Sequence, residues 1–112
     1  MKIDFRGGGI FVVAKIATIE YIKNMGPKIV FVPSAFKHSV SEENIRWVLL
    51  NHIVDGVIEE DDEAKYLSVG FDKSGNLLEI MYNFIGEQTI KVFHAMKCRK
   101  QFYESLEEQG VL

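Results

Sequence analysis

The chain has 112 residues, a formal net charge of −3, 47% hydrophobic residues and 26% charged residues. This composition is that of an ordinary globular chain, and it excludes intrinsic disorder. The length fits one domain with a thin core, and the single cysteine, Cys98, excludes an internal disulfide and agrees with a reducing compartment.

The first 24 residues are considered separately from the rest of the chain. The stretch GIFVVAKIATIEYI is apolar after a basic start, but Lys15 and Glu20 interrupt it. It is therefore neither a convincing signal peptide nor a membrane span, which needs about 18 apolar residues. It is an extra strand or helix, or translated upstream sequence with Met25 as the functional start. We expect residues 1–24 to be a leader or extension, a misassigned start included, and residues 25–112 to form one domain.

The next elements are a short strand and a helix. KIVFVPS, residues 28–34, is β-branched and contains a proline, which is typical of a strand or an extended arm. Ser41 is a good helix N-cap, and Glu42 and Glu43 follow where the helix dipole favours anions. The helix is predicted to run to about Asn51. Its apolar face consists of Ile45, Val48, Leu49 and His52.

A hairpin is predicted after the acidic run EEDDE, residues 59–63, which we expect to be a solvated loop. KYLSVGF, residues 65–71, is a strand, and the turn DKSGN follows, with Gly75 and Asn76 supplying positive φ. LLEIMYNFI, residues 77–85, alternates as a strand does. One face is Leu78, Ile80, Tyr82 and Phe84, and the other is Glu79, Met81 and Asn83.

A last strand and a last helix complete the chain. TIKVFHAMK, residues 89–97, alternates too. Its predicted faces are Ile90, Val92, His94 and Met96 on one side and Lys91, Phe93, Ala95 and Lys97 on the other. CRKQFYESLEEQ, residues 98–109, is predicted to be a helix that buries Phe102 and Leu106 and stops at Gly110. The fold class is α+β, with a small antiparallel sheet of three to four strands, one helix on its N-terminal side and one C-terminal helix.

Several motifs of enzyme chemistry can be tested against the sequence. RGGG, residues 6–9, lacks the strand and helix that flank a phosphate-binding loop. The three histidines do not form a metal-ligand spacing with cysteine or carboxylate pairs, and there is no GxSxG nucleophile motif. We therefore expect no metal and no cofactor.

Positive side chains gather at two points of this acidic chain. They are Lys37 and His38 before the first helix, and His94, Lys97, Arg99 and Lys100 between the last strand and the last helix. If the two segments meet, they form a cationic pocket with two histidines. A histidine can take a proton from a ribose 2′-hydroxyl or return one to the leaving oxygen, and Lys and Arg stabilise the charge that develops on phosphorus oxygens.

A second interpretation is that the lysines are solvated surface and His94 packs on the sheet, and residue chemistry alone favours it. Cys98 also has two interpretations, because cationic neighbours could lower its pKa. An ordinary thiol near a strand end is the favoured one.

Three stretches, taken in order, resemble the small toxins of bacterial type II toxin–antitoxin systems. They are FKHSVSEENIRWVLLN, KYLSVGFDKSGNLLEIMYN and IKVFHAMKCRKQFY. The likeness is to the BrnT-like group of the RelE-type ribonuclease fold and covers roughly residues 29–106. The matching residues are Lys37, His38, Val40, Gly70, Gly75, Leu77, Leu78, Tyr82, His94, Ala95, Arg99 and Tyr103. Ser39 and Met96 depart from the pattern, standing where many members have glycine and arginine.

The resemblance implies that residues 25–112 are a RelE/BrnT-like toxin domain, a cytoplasmic, metal-independent endoribonuclease that cleaves RNA, above all mRNA. It implies a cognate antitoxin protein with a DNA-binding part, an oligomer formed with that antitoxin, and the ribosome as a further partner. The catalytic residues would be Lys37, His38, His94, Lys97 and Arg99. The RNA-binding residues would be Lys91, Lys100 and Tyr103.

Two alternatives stay open. The first is a non-catalytic interaction or nucleic-acid-binding module with a degenerate toxin fold, which the Met96 departure and the net charge favour. The second is a small-ligand domain in which Trp47 and other aromatic residues line a pocket.

Overall fold

A computed structural model describes residues 2–4, 28–59, 65–86 and 89–112. The expectation for residues 1–24 falls outside the described residues, except for Lys2–Asp4. Most of the predicted acidic loop also falls outside them, and Glu59 belongs to a strand instead.

The chain folds around one mixed β-sheet. Its strands are β1 (Lys2–Asp4), β2 (Lys28–Phe31), β3 (Val54–Glu59), β4 (Lys65–Phe71), β5 (Leu77–Phe84) and β6 (Thr89–Lys97). β3 to β6 form an antiparallel meander, β2 pairs with β6 in parallel, and the three-residue β1 adds to the edge of β3. The α+β class is confirmed, but three to four antiparallel strands were too few, and the sheet is mixed.

In the described ranges two α-helices accompany the sheet, α1 (Glu42–Leu50) and α2 (Lys100–Glu108), together with a short 3-10 helix (Pro33–Phe36). The predicted N-cap of α1 is confirmed, because the Ser41 hydroxyl accepts a hydrogen bond of 3.1 Å from the backbone N–H of Asn44. α2 ends near Gly110 as predicted, at a positive φ of 74°.

The sequence analysis missed β3, because Asp55 interrupts its short apolar pattern. Asp55 is fully buried, and its carboxylate accepts a hydrogen bond of 2.8 Å from the Tyr82 hydroxyl. His52 was assigned to the face of α1 but lies beyond the end of that helix. It is buried where α1 meets β4, and a Cβ on Gly70 would lie 3.0 Å from the Cα of His52. This close approach accounts for a glycine at position 70.

Each face of the sheet carries one buried cluster and one helix. The α1 side contains Ala35, Ile45, Val48, Leu49, Leu78, Ile80, Tyr82, Ile90, Val92 and Ala95. The α2 side contains Val54, Leu67, Val69, Met81, Phe102 and Leu106. The buried pair Phe102 and Leu106 confirms the predicted inner face of the last helix.

A β-bulge at Phe93 changes the predicted faces of β6. Val92 lies opposite Tyr82 and His94 lies opposite Met81, so Phe93 is an extra residue in the strand. An extra residue reverses the alternation of every side chain that follows it. Beyond the bulge, Ala95 and Lys97 lie on the α1 side, and His94 and Met96 lie on the α2 side. The predicted grouping of His94 and Met96 with Ile90 and Val92 was therefore wrong.

The hairpin turn between β4 and β5 needs only one positive φ, at Gly75, where φ is 86°. The prediction of a positive φ at Asn76 was wrong. The Asp72 carboxylate accepts hydrogen bonds of 2.9 Å from the backbone N–H groups of Ser74 and Asn76, which fixes the turn in another way.

Ser39 is the only non-glycine residue of the described part with a positive φ, at 63°. In the folded state this conformation destabilises a non-glycine residue by about 1–3 kcal/mol. Glycine avoids that strain but loses more conformational entropy on folding, which costs about 0.5–1 kcal/mol. We predict that Ser39→Gly raises stability by about 1 kcal/mol, or about 4 °C in Tm, in thermal unfolding. Ser74→Gly, at a negative φ, is the matched control and should lower Tm. A fall in Tm for Ser39→Gly would contradict this account.

Candidate functional site

The structure brings together the two segments that carry the predicted histidines. β2 ends opposite Val92, and beyond that point the 3-10 helix lies along β6. The Ser34 hydroxyl donates a hydrogen bond of 2.6 Å to the carbonyl of the bulge residue Phe93. The ring centroids of His38 and His94 lie 5.7 Å apart in an edge-to-face arrangement.

Glu79 organises the α2 side of this site. Its carboxylate is fully buried and lies within hydrogen-bonding distance of His94 and Arg99. His94 Nε2 is 2.8 Å from Oε2, and the Arg99 guanidinium donates through Nε at 3.0 Å and Nη2 at 2.8 Å to the same oxygen. The backbone N–H of Arg99 donates to Oε1 at 2.8 Å. A buried charge requires such partners, because its desolvation is otherwise uncompensated.

The protonation of this cluster follows from Glu79. Burial opposes its ionisation, but the hydrogen bonds from His94 and Arg99 outweigh burial and hold the pKa of the Glu79 carboxyl below its ordinary value. An ionised carboxylate only accepts hydrogen bonds, so His94 Nε2 carries the hydrogen of the 2.8 Å contact. In the neutral ring, Nδ1 is then the nitrogen with the lone pair, which is the atom that can accept a proton from a substrate.

Arg99 is fixed on three sides. It is the N-cap residue of α2, its guanidinium is bound by Glu79, and its Cζ lies 4.8 Å from the centroid of the Phe102 ring. The Arg99 side chain is still 38% exposed. A guanidinium held in this way can offer its remaining N–H groups to an anion in one fixed orientation.

A cavity of about 270 Å³ opens beside the histidine pair, on the α1 side of the sheet. Its lining residues are His38, Ser39, Val40, Asn44, Asp72, Asn76, Leu78 and Lys97. His38 both lines this cavity and contacts the His94 ring. Alternation places His94 and Lys97 on opposite faces of β6, and the bulge decides that His94 is the one that faces Glu79 while Lys97 lines the cavity.

The other predicted site residues lie around this centre. Lys37 is exposed next to His38, and Lys91 lies before the bulge, in register with Val30 and Asn83. Lys100 is exposed at the start of α2, with its Nζ 3.7 Å from a Glu104 carboxylate oxygen. Tyr103 is 40% exposed on the same helix. Within the described ranges, these four residues are outside the hydrogen-bonded cluster of Glu79, His94 and Arg99.

Sequence reasoning missed Glu79 as a site residue and assigned it only to a face of β5. A signal was present, because Glu79 is the one charged residue within the apolar strand LLEIMYNF. A carboxylate in the middle of a central strand has to find a cation or hydrogen-bond donors. In the sheet, Met96 is the register partner of Glu79. The position where many members of the resembled family have arginine therefore lies next to a carboxylate that Arg99 already binds.

Cys98 does not have a lowered pKa, as one of its two interpretations required. Burial and the nearby Glu79 carboxylate raise the pKa of its thiol to about 11, and Arg99 offsets only part of this. The interpretation with a lowered pKa was therefore wrong, and Cys98 is a half-buried thiol directly after β6.

No helix in the described ranges is both long and apolar enough to cross a membrane. Among the same residues, no group of three or more His, Cys, Asp or Glu side chains is arranged to hold a metal ion.

The chain matches no protein-family model, and no curated protein matches it significantly. Function is therefore inferred from the residues and geometry of the site, together with the resemblance of the three sequence stretches.

We predict that Glu79→Gln lowers the free energy of unfolding at pH 7 by about 3 kcal/mol, because it leaves Arg99 and His94 without a buried anion. The folded-state pKa of Glu79 lies below its ordinary value of 4.5. Its stabilisation is therefore complete above about pH 4.5 and disappears as pH falls through the folded-state pKa. In urea unfolding, the difference in the free energy of unfolding between wild type and variant should be constant from pH 7 down to about pH 4.5 and shrink as pH falls further.

The matched control is Glu104→Gln, which removes an exposed carboxylate 3.7 Å from Lys100. It should change stability by less than about 0.5 kcal/mol at pH 7. Equal effects of the two substitutions would refute a structural role for the Glu79 cluster.

We also predict that the Cys98 thiol of the folded protein reacts slowly with iodoacetamide at pH 8, because its pKa is about 11. Mass spectrometry after timed quenching measures the rate. The urea-unfolded chain is the control and should react at the rate of an ordinary thiol. Equal rates for folded and unfolded protein would contradict the raised pKa.

Proposed function

We propose that this chain is a metal-independent endoribonuclease, the toxin of a type II toxin–antitoxin system, with RNA, above all mRNA, as its substrate. The observation that carries the proposal is the pair of imidazoles, His38 and His94, whose ring centroids lie 5.7 Å apart beside Lys97 and Arg99. Two imidazoles next to cations can supply the proton transfers and the charge stabilisation of RNA transesterification.

His94 is the proposed general base. Glu79 accepts the hydrogen of Nε2 and so orients the ring and leaves Nδ1 to take the proton of a ribose 2′-hydroxyl. The 2′-oxygen then attacks the adjacent phosphorus, and the bond to the 5′-oxygen of the next nucleotide breaks. His38 is the proposed acid that protonates this leaving oxygen. The products are a 2′,3′-cyclic phosphate and a 5′-hydroxyl.

Cations beside the imidazoles would stabilise the extra negative charge of the pentacovalent phosphorane. Lys97 lines the cavity that His38 also lines, and Arg99 is held in one orientation by Glu79 and Phe102. Lys37 is a further cation next to His38 in the chain. Electrostatic groups of this kind act best when they are already in place before the reaction.

The remaining exposed groups are proposed to bind RNA outside the reaction centre. Lys91 and Lys100 would contact phosphates, and the exposed ring of Tyr103 would stack on a base. The α+β arrangement is compatible with the RelE/BrnT-like fold that the resemblance implies, and we extend the proposal to that fold for residues 25–112. A cytoplasmic location, a cognate antitoxin and an encounter with the ribosome belong to the same proposal.

One observation favours a second candidate, a degenerate toxin fold that binds a partner or nucleic acid without cleaving it. The Nε and Nη2 atoms of Arg99 are both engaged by Glu79, which neutralises much of that cation, and the chain carries a net charge of −3. Such a module would bind RNA with a steep salt dependence and release no cleavage products.

We predict that inducible expression of the full chain arrests bacterial growth and that His94→Ala and Lys97→Ala relieve the arrest. Loss of a general base costs about 10²–10⁴-fold in rate. Growth curves and primer-extension mapping of RNA 5′ ends measure the effect, with circular dichroism to show that each variant is folded. Lys28→Ala, an exposed lysine of β2, is the matched control and should stay toxic. Toxicity retained by both site variants would exclude these roles.

A further inference from the structure

The cavity beside the histidine pair has a chemistry that phosphate binding does not explain. A phosphate site would be lined by donors and cations, and Lys97 and His38 fit that requirement. Asp72 does not, because its carboxylate can only accept hydrogen bonds. Asn44 and Asn76 add two carboxamides, each of which can donate and accept.

The polar wall of the cavity is fixed in place. The Asp72 Oδ1 atom accepts from the backbone N–H groups of Ser74 and Asn76, both at 2.9 Å, and Oδ2 accepts from Asn76 Nδ2 at 3.1 Å. Hydrogen bonds from Asn76 lower the pKa of Asp72, against the effect of burial, so the carboxylate is ionised at neutral pH. Oδ1 already has two donors, which leaves Oδ2 as the oxygen with acceptor capacity for a ligand.

The size and the other walls suit a single flat base. The cavity volume of about 270 Å³ is close to the lower end of small-molecule sites, about 300 Å³. Val40 and Leu78 supply apolar surface, and the polar groups of Asp72, Asn76 and Asn44 are grouped in the same cavity. Planar bases are recognised by this combination of apolar contact with their faces and hydrogen bonds to their edges.

We propose that this cavity binds a nucleobase that carries an exocyclic amino group, with Asp72 as the acceptor of that amine. The inference depends on the proposed function for its substrate, since it places the base next to the phosphate that His38 and Lys97 would contact. Asp72, Asn76 and Asn44 are thus residues that determine specificity, outside the proton-transfer machinery. Guanine, adenine or cytosine is accepted, and a base without the amine is bound more weakly.

The test is binding of nucleoside 3′-monophosphates to the full ¹⁵N-labelled chain, followed through the side-chain amide signals of Asn44 and Asn76. Guanosine and inosine 3′-monophosphates form a matched pair that differs only in the exocyclic amine. We expect guanosine 3′-monophosphate to bind about tenfold more tightly than the inosine form. Affinities equal within about twofold for this pair, and for cytidine against uridine 3′-monophosphate, would overturn the proposal, since the amine would then contribute far less than one good base contact.

Asp72→Asn should abolish the difference between guanosine and inosine 3′-monophosphates, because a carboxamide no longer offers only acceptors. Since Asp72 also holds the turn, Asn44→Ala is a second variant, on α1, and it should weaken binding of both nucleotides. Glu43→Gln is the matched control, because Glu43 is an exposed carboxylate bound to Lys73 and does not line the cavity. Retained discrimination in Asp72→Asn would overturn the assignment.

Two further measurements distinguish a failure of the base site from a failure of the proposed nuclease activity. Inorganic phosphate alone should leave the Asn44 and Asn76 amide signals in place, and a full shift would show that the cavity takes the phosphate instead of the base. Selective binding without RNA cleavage would retain the base site and reject the nuclease. RNA cleavage without base selectivity would retain the nuclease and reject the base site.

Discussion

The site depends on one buried carboxylate. Glu79 lies in the middle of the central strand β5, fully buried, and its charge has to be compensated within the protein. His94 from β6 and Arg99 from the start of α2 provide that compensation. The hydrogen bonds that stabilise the buried carboxylate also set the orientation of the His94 and Arg99 side chains. Stability and the arrangement of the proposed catalytic groups are therefore linked through a single residue.

The bulge at Phe93 is the second constraint. It allows β6 to present His94 to Glu79 on one face and Lys97 to the cavity on the other. The Phe93 carbonyl also accepts a hydrogen bond from the Ser34 hydroxyl. This contact places the 3-10 helix and the following His38 against the edge of β6. Without the extra residue the two faces would be exchanged, with His94 on the α1 side and Lys97 on the α2 side, so the bulge determines that His94 meets Glu79.

Much of the local structure could be predicted from the sequence. The N-cap at Ser41, the hairpin turn with Gly75 and the amphipathic pair Phe102 and Leu106 are set by interactions within a few residues, and all three are present. The errors have non-local causes. β3 was not predicted; its buried Asp55 interrupts a short apolar pattern, and the partner of Asp55, Tyr82, lies two strands away.

The same distinction applies to the site. Residue types suggested that the segments of His38 and His94 carry related chemistry. Strict alternation, however, placed His94 on the wrong face of β6, because a one-residue bulge has no clear sequence signature here. The partner of His94 and Arg99 could not be deduced from spacing, since Glu79 is 15 residues from the first and 20 from the second. Cys98 shows the same limit, because cationic neighbours in sequence mattered less for its pKa than burial and Glu79 did.

The most direct test of the nuclease uses a DNA oligonucleotide with a single ribonucleotide, incubated with the purified chain in EDTA. Only one bond then has a neighbouring 2′-hydroxyl. The account predicts cleavage at that bond, leaving a 2′,3′-cyclic phosphate and a 5′-hydroxyl, and no cleavage of the all-DNA control. An intact substrate, or products with a 3′-hydroxyl and a 5′-phosphate, would contradict transesterification by the His38 and His94 pair.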